Sequence, residues 1–209
     1  MRVSGYAAAS LSILAFACAT ASHNPVLDRY PPSVSGHTTV TYYEVRGRTY
    51  DEVLADLQRL GPRTGGRTFF AEARSPMQWR WRIDRVGSSY CAISDVTVLV
   101  NAQITLPRWM PPSGTDAALV AEWRRFIAAL EEHEAGHKDI SARAGRDVAS
   151  RLNGYSDICS IINTRANEIA RSITERAVVE QRDFDAATRH GLARGALFSR
   201  PSVRDSTTH

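Results

Sequence analysis

A histidine and glutamate pattern is the part of the sequence best suited to chemistry. It runs from His133 through Glu134 to His137 and reads H-E-x-x-H. On a helix, two histidines four residues apart project from the same face one turn apart, so their imidazoles can hold two corners of a tetrahedral zinc ion. Zinc lowers the pKa of a bound water to about 7, and a neighbouring carboxylate can take its proton as the water attacks a carbonyl carbon. The pattern therefore predicts Zn²⁺ bound by His133 and His137, with Glu134 as the general base.

The residues around this pattern predict the helix that it requires. From about Asp116 to Leu152, apolar residues fall on one stripe at ~100° per residue. The stripe contains Leu119, Trp123, Phe126, Ile127, Leu130, His137, Ile140, Ala144 and Val148. His133 and Glu134 lie on its two margins, and the charged residues lie on the opposite side. The pattern thus faces the interior, as a zinc site requires; the alternative is a pair of hydrogen-bonded core histidines.

A catalytic zinc site needs a third protein ligand from outside this helix, so that one corner stays open for water. A second long helix is expected to end near Thr188, and His190 stands just before Gly191, where the chain should bend back over the site. Imidazole is the commonest metal ligand, so His190 is the predicted third ligand. Asp185 is expected to support a ligating histidine or to serve as the ligand itself. The alternative for His190 is a cap at the helix C-terminus.

Composition excludes some classes of function. The chain has 209 residues, of which 43% are hydrophobic and 23% charged, as is typical of one globular domain with flexible ends. The net charge of +4 comes from scattered arginines, and Lys138 is the only lysine. Because no dense basic run appears, no nucleic-acid partner is expected. No transmembrane segment is expected in the mature chain, and the sequence does not indicate an oligomeric state.

The N-terminus predicts export. An apolar run from Tyr6 to about Ala19 follows Arg2, is too short to span a bilayer and ends in the small-x-small pattern Ala19-Thr20-Ala21. Residues 1–21 are therefore interpreted as a signal peptide, and the mature protein as secreted or periplasmic. An alternative makes Cys18 a lipid-modified N-terminus, although the upstream leucine lies one place too far away.

Removal of the signal peptide leaves two cysteines, Cys91 and Cys159. In an oxidising compartment they are expected to form a disulfide. The alternative, that one of them binds zinc, is disfavoured because neither lies in a Cys-x-x-Cys arrangement.

The remaining patterns predict an α+β, zincin-like domain over residues 38–198. Strands are expected at Thr39–Val45, Thr68–Ala73, Gln78–Asp84 and, as one long strand, from Cys91 to Leu106. A short helix should begin at a capping box at Thr49 and end at Gly61. The expected architecture is an antiparallel sheet of about four strands with this short helix and two long helices, the first of which carries H-E-x-x-H. Residues 22–37 are interpreted as a linker and residues 199–209 as a disordered tail.

Several landmarks, in order, resemble a bacterial family of predicted secreted zinc-dependent proteases of unknown function that carry H-E-x-x-H. They are a Tyr-Tyr strand before the short helix, Trp79-x-Trp81, Cys91, a strand ending Leu-Pro-x-Trp at Trp109, Trp123, the zinc pattern, Cys159, and Asp185-x-x-Thr188-x-His190-Gly191. The resemblance covers about Thr38 to Leu197. It implies a metallopeptidase but does not specify the substrate.

Metzincins and thermolysin-like enzymes are two classes of zinc peptidase with further ligand patterns beyond H-E-x-x-H. The metzincin pattern is absent, because Ile140 and Arg143 stand where a glycine and a third histidine would follow. Thermolysin-like enzymes take a glutamate from a following helix as a zinc ligand. In this chain Glu168 is a candidate for that role. The loop before the motif helix carries Trp109 and Met110, which either line a substrate cleft or plug the helix start.

Two functions from different classes remain. The first is a secreted or periplasmic metallopeptidase whose substrate is an extended peptide, a protein or a peptidoglycan stem peptide. The second is a catalytically silent, zinc-stabilised envelope module that binds a partner through the same cleft. The intact Glu134 favours the peptidase, because a structural zinc site does not need a base beside an open coordination position.

Overall fold

A computed structural model describes residues 32–200 of the chain. The predicted signal peptide, the Cys18 alternative, residues 22–31 of the predicted linker and residues 201–209 of the predicted tail lie outside the described residues. The described part is α+β, as predicted. None of its helices is both long enough and apolar enough to cross a membrane.

Residues 32–200 contain three α-helices and nine strands. The helices are α1 (Tyr50–Leu60), α2 (Ala117–Leu152) and α3 (Ile162–Thr188), followed by a 3-10 turn at Leu192–Arg194. The strands are β1 (Ser33–Ser35), β2 (Thr38–Val45), β3 (Arg63–Thr64), β4 (Arg67–Thr68), β5 (Glu72–Arg74), β6 (Met77–Arg85), β7 (Tyr90–Val100), β8 (Ala102–Trp109) and β9 (Ser156–Ile158). Of the predicted linker, Ser33–Ser35 is therefore a strand.

The strands form two mixed sheets and a small hairpin, where one antiparallel sheet was expected. In the first sheet, β7 pairs in parallel with β1 and antiparallel with β6 and β9. In the second sheet, β8 lies between β2, which is parallel to it, and β5, which is antiparallel. Strands β3 and β4 form the hairpin. Strand β5 is thus an edge strand of the second sheet.

The predicted long strand from Cys91 to Leu106 is broken at Asn101, where the chain passes from the first sheet to the second. The parallel partner of this segment also crosses from the first sheet to the second. Residues 33–35 pair with 97–99, and residues 38–45 pair with 102–109, in both cases with an offset of 64 residues. Gly36 lies against the break, and a Cβ there would come within 1.8 Å of the Val100 carbonyl oxygen. The close approach therefore requires glycine at this position.

Capping residues set the helix ends much as their sequence predicts. The Thr49 hydroxyl accepts a hydrogen bond from the Glu52 N–H, and the Glu52 carboxylate accepts one from the Thr49 N–H, which completes the predicted capping box. The Asp116 carboxylate caps α2 by accepting from the Ala118 N–H at 2.9 Å. Gly154, with φ of 79°, follows the end of α2.

Two groups of buried side chains make up the core, and the 36-residue helix α2 contributes to both. The first cluster contains Val45, Val53, Leu57, Ala71, Ile104, Leu106, Trp109, Leu119, Trp123, Phe126, Ala129, Leu130, Ala196 and Phe198. The second contains Cys91, Ile93, Val96, Val98, Ala144, Val148, Ala149, Leu152, Ile162, Ala166, Ala170 and Ile173. The segment of α2 that includes residues 133–137 lies between its contributions to the two clusters.

The first sheet leaves some apolar side chains exposed. A bulge between Arg80 and Arg82 interrupts the alternation of side chains in β6, so that Trp79 and Trp81 pack on the second cluster but Ile83 is 39% exposed. Ile158, in β9, is 43% exposed.

The C-terminal segment after α3 packs on α2. The Arg125 guanidinium donates to the carbonyls of Gly195 and Leu197, both at 2.5 Å, and is paired with Glu122. The Glu122 carboxylate also accepts from the Ser199 N–H at 2.8 Å. The first residue of the predicted disordered tail is therefore hydrogen-bonded to the domain.

The predicted disulfide is confirmed. Cys91 in β7 is bonded to Cys159 just before α3, and 68 residues separate the two. Because this cross-link restricts a long loop in the unfolded chain, replacing both cysteines with serine should lower the free energy of unfolding by roughly 3–4 kcal/mol. Urea unfolding of the oxidised protein and of the double variant measures the difference. Equal midpoints for the two proteins would contradict this account.

Candidate metal centre

Helix α2 brings His133, Glu134 and His137 to the junction of the two core clusters. His133 and Glu134 are each 4% exposed, and the His137 side chain is 13% exposed. The spacing of four residues places the two imidazoles one above the other on the same helix face. Their rings lie 4.7 Å apart and nearly perpendicular.

Three ligand-type atoms from α2 and α3 converge beside these rings. The His133 Nε2 lies 3.2 Å from the His137 Nε2, and the Asp185 Oδ1 lies 3.2 Å and 3.1 Å from these two nitrogens. Within residues 32–200, the one group of His, Cys, Asp and Glu side chains that could share a metal ion is His133, His137 and Asp185. The atoms therefore form a nearly equilateral triangle.

Side chains from α3 orient both histidines through their other ring nitrogen. The His137 Nδ1 is hydrogen-bonded to the Gln181 Oε1, while the Gln181 amide group donates to the His137 carbonyl and to the Ser141 hydroxyl, both at 3.0 Å. The His133 Nδ1 lies 3.5 Å from the Thr188 hydroxyl, which itself donates to the Phe184 carbonyl at 2.7 Å. With Nδ1 engaged in this way, each Nε2 is directed at the triangle.

The Phe184 ring fills the space between α3 and the two histidines. It stacks on His133 with centroids 5.0 Å apart and meets His137 edge-on at the same distance. A Cβ on Gly136 would lie 2.5 Å from the Phe184 Cζ. Glycine at position 136 is therefore what allows this ring to sit against α2.

The chain turns sharply after α3 and returns over the site, as the sequence predicted. Arg189, His190 and Gly191 all have positive φ, at 50°, 53° and 82°. A Cβ on Gly191 would lie 3.2 Å from the His133 Cγ, so this turn covers one side of the His133 ring. The His190 side chain is 51% exposed, and its Nδ1 lies 3.3 Å from the Asp185 Oδ1. His190 thus reaches the site through Asp185.

Burial and neighbouring charge shift the pKa values of the two carboxyls in opposite directions. Burial raises the pKa of Glu134 to about 7, although His137 and His133 oppose the shift. Burial also acts to raise the pKa of Asp185, but hydrogen bonds from His133 and His137 outweigh it and hold that pKa well below its usual value. Burial lowers the pKa of His137, yet its hydrogen bonds with Asp185 and Gln181 raise it overall.

The site opens into a cavity of about 740 Å³. His133, Glu134, His137 and Asp185 form part of its lining. Glu72 and Ala73 of the edge strand β5 lie on another side, and residues of β6 and α3 extend the cavity away from the site. The volume is within the range of sites that bind small molecules or short peptides.

Other residues considered from sequence do not line this cavity. Glu168 is exposed and pairs with Arg165 at 3.1 Å. Trp109 lies in the first cluster, where its indole N–H donates to the Gly47 carbonyl, and Met110 is 79% exposed. Trp109 therefore packs in the core near the start of α2 and does not line the cavity.

Sequence reasoning did not identify Gln181, Phe184 or Thr188 as parts of the site. Together with Asp185 they recur at spacings of three and four along α3, so they share one face of that helix. Helical spacing along α3 could therefore have grouped these four residues, as it grouped His133 and His137 on α2. The inference needs only the further assumption that α3 packs against α2.

Comparisons with known proteins identify a family but no activity. Neither the curated proteins nor the solved structures contain a match to this chain. Residues 40–191 match the family described as "Bacterial protein of unknown function (DUF922)". The matched span contains all of α2 and α3 and extends to Gly191, so it includes the residues that converge at the site. Since it also covers more than half of the 209 residues, the protein belongs to this bacterial family of unknown function.

Proposed function

We propose that the protein is a secreted or periplasmic zinc-dependent metallopeptidase that hydrolyses peptide bonds with Glu134 as the general base. The observation that carries the proposal is the triangle of His133, His137 and Asp185 ligand atoms beside a buried glutamate at the edge of a cavity. The disulfide supports an oxidising compartment.

The dimensions of the triangle fit a zinc ion. With ligand bonds of about 2.0–2.1 Å, two corners of a tetrahedral zinc site are roughly 3.3 Å apart. The three edges here measure 3.1–3.2 Å. Two imidazole nitrogens and one carboxylate oxygen are a donor set that suits zinc. Three protein ligands leave a fourth position for water, as in catalytic rather than structural zinc sites.

In this proposal Asp185 is the third ligand and His190 supports it. Asp185 Oδ1 contacts both histidine Nε2 atoms, whereas the contact that His190 makes with the group is to Asp185. His190 itself lies in the left-handed turn that follows α3, and its side chain is 51% exposed. The assignment of His190 as the ligand stays a prediction that this geometry disfavours.

Zinc held by these residues would polarise the substrate carbonyl and acidify a bound water. The task of Glu134 is to accept the proton of that water and to pass it to the leaving amine. A carboxyl in ordinary solution has a pKa near 4 and is a weak base, but burial raises the pKa of Glu134 to about 7. Before a cation binds, burial therefore makes the Glu134 carboxylate a stronger base than one in water.

The edge strand β5 supports a peptide as the substrate. Within residues 32–200, β5 pairs with β8 on one side, and its residues Glu72 and Ala73 line the cavity. An extended peptide can add to such an edge by main-chain hydrogen bonds, which would carry its scissile carbonyl past the triangle. Proteins and peptidoglycan stem peptides both offer extended segments of this kind.

We expect the purified mature protein to bind about one zinc ion and to lose it when His133 or His137 becomes alanine. Asp185→Ala should weaken zinc binding more than about 100-fold because a ligand is removed, whereas the matched variant His190→Ala should weaken it on the order of tenfold. Competition with a chromogenic chelator measures these affinities. Loss of zinc in His190→Ala with retention in Asp185→Ala would exchange the two roles.

Glu134→Gln should keep the fold and the zinc but lower peptidase turnover by about 10²–10⁴-fold, the usual cost of removing a general base. Cleavage is measured by mass spectrometry on a library of peptides derived from a bacterial proteome, with zinc content determined on the same samples. If turnover were unchanged in Glu134→Gln, the glutamate would not be the base. If the zinc-loaded wild-type protein cleaved no peptide, the catalytically silent module would be the better description.

A further inference from the structure

One face of α3 runs along the cavity from the proposed ligand to an apolar region. Asp185, Gln181, Val178, Ala177 and Thr174 line the cavity and recur at helical spacing, so they form one continuous stripe. The stripe changes character along its length. Asp185 and Gln181 hold the two histidines, while Val178 and Ala177 present apolar groups.

Strand β6 also supplies apolar residues to this cavity. Met77 and Trp79 line the same cavity, and both are only partly buried against the second cluster. The Trp79 indole N–H donates to the Asn167 amide oxygen of α3 at 3.2 Å, which fixes the orientation of the ring. The cavity therefore has a shaped apolar recess between β6 and α3.

The exposure of Val178 indicates that the recess is not simply part of the core. Val178 is 50% exposed and is not among the residues packed on either cluster. Its neighbour Val179 is 53% exposed but does not line the cavity. The two valines thus differ in their relation to the cavity and not in their exposure.

The position of the recess matches a substrate side chain close to the cleaved bond. Val178 and Asp185 are seven positions apart on α3, which is about 10 Å along the axis. Successive residues of an extended peptide advance by about 3.3 Å, and a leucine or phenylalanine side chain extends further sideways. A bulky side chain one to three residues from the scissile bond can therefore reach the part of the cavity that Val178 lines.

We propose that this recess is a specificity subsite that binds a large apolar side chain of a polypeptide substrate. The inference rests on the proposed peptidase function and specifies its substrate class: peptides with leucine, phenylalanine or methionine next to the cleaved bond or up to two residues beyond it. Hydrophobic burial in the recess supplies the preference, because the wall offers apolar surface that water otherwise covers.

The test uses Val178→Glu with Val179→Glu as its matched control, since both add one negative charge to the same half-exposed stretch of α3. Cleavage sites in a peptide library should be enriched in bulky apolar residues at one position near the bond. For a peptide pair with leucine or glycine at that position, Val178→Glu should lower kcat/KM for the leucine peptide about 10- to 100-fold, the effect expected of losing one buried apolar contact. Val179→Glu should leave it unchanged, and both variants should retain zinc.

A binding measurement separates failure of this inference from failure of the proposed function. Leucyl and glycyl peptide hydroxamates are titrated calorimetrically into the zinc-loaded protein and its two variants. Cleavage without an apolar preference would overturn the subsite and leave the peptidase standing. Tighter binding of the leucyl compound that is lost only in Val178→Glu, without any cleavage, would support the subsite and overturn the peptidase. Equal binding of both compounds would overturn the subsite, and a protein that binds no zinc would overturn both proposals.

Discussion

The contact of Phe184 with Gly136 is the constraint on which the site depends. A Cβ on residue 136 would come within 2.5 Å of the ring, so glycine allows α3 to approach α2 closely enough for Asp185 to reach both histidines. The same ring stacks on His133 and meets the edge of His137, which limits the rotation of both imidazoles. Ligand atoms must be held within about 0.5 Å to bind a metal well. The packing of the two helices is therefore part of the site.

Burial at the junction of two clusters explains why two carboxyls in one site behave differently. Glu134 and Asp185 are both removed from water in part, which raises the free energy of a charged carboxylate. Asp185 accepts hydrogen bonds from two imidazoles, and its pKa falls below the usual range. Burial dominates at Glu134, and its pKa rises to about 7. The neighbours of each carboxyl thus hold Asp185 as an anion and let Glu134 keep its proton more readily.

Local sequence signals predicted the parts of the fold that short-range interactions determine. The capping box at Thr49, the helix that carries His133 and His137, and the Cys91–Cys159 disulfide could all be predicted from residue type and spacing. Sheet pairing could not, because the parallel partners 33–45 and 97–109 are 64 residues apart and the residues of one strand do not reveal its neighbour. The break at Asn101 depends on that neighbour, so the sequence alone predicted one continuous strand from Cys91 to Leu106.

The residues near the end of α3 show the same limit of prediction within the candidate site. His190 and Asp185 are both near the end of α3, and residue type alone favoured the imidazole. The choice depends on how α3 packs on α2 and on the left-handed conformation of Arg189 and His190, which begins the turn before the Gly191 that predicted it. That turn is held in place by Arg125, which binds the carbonyls of Gly195 and Leu197 and draws the segment back over His133. Contacts made far from the histidines in sequence thus hold the segment that follows α3 against α2.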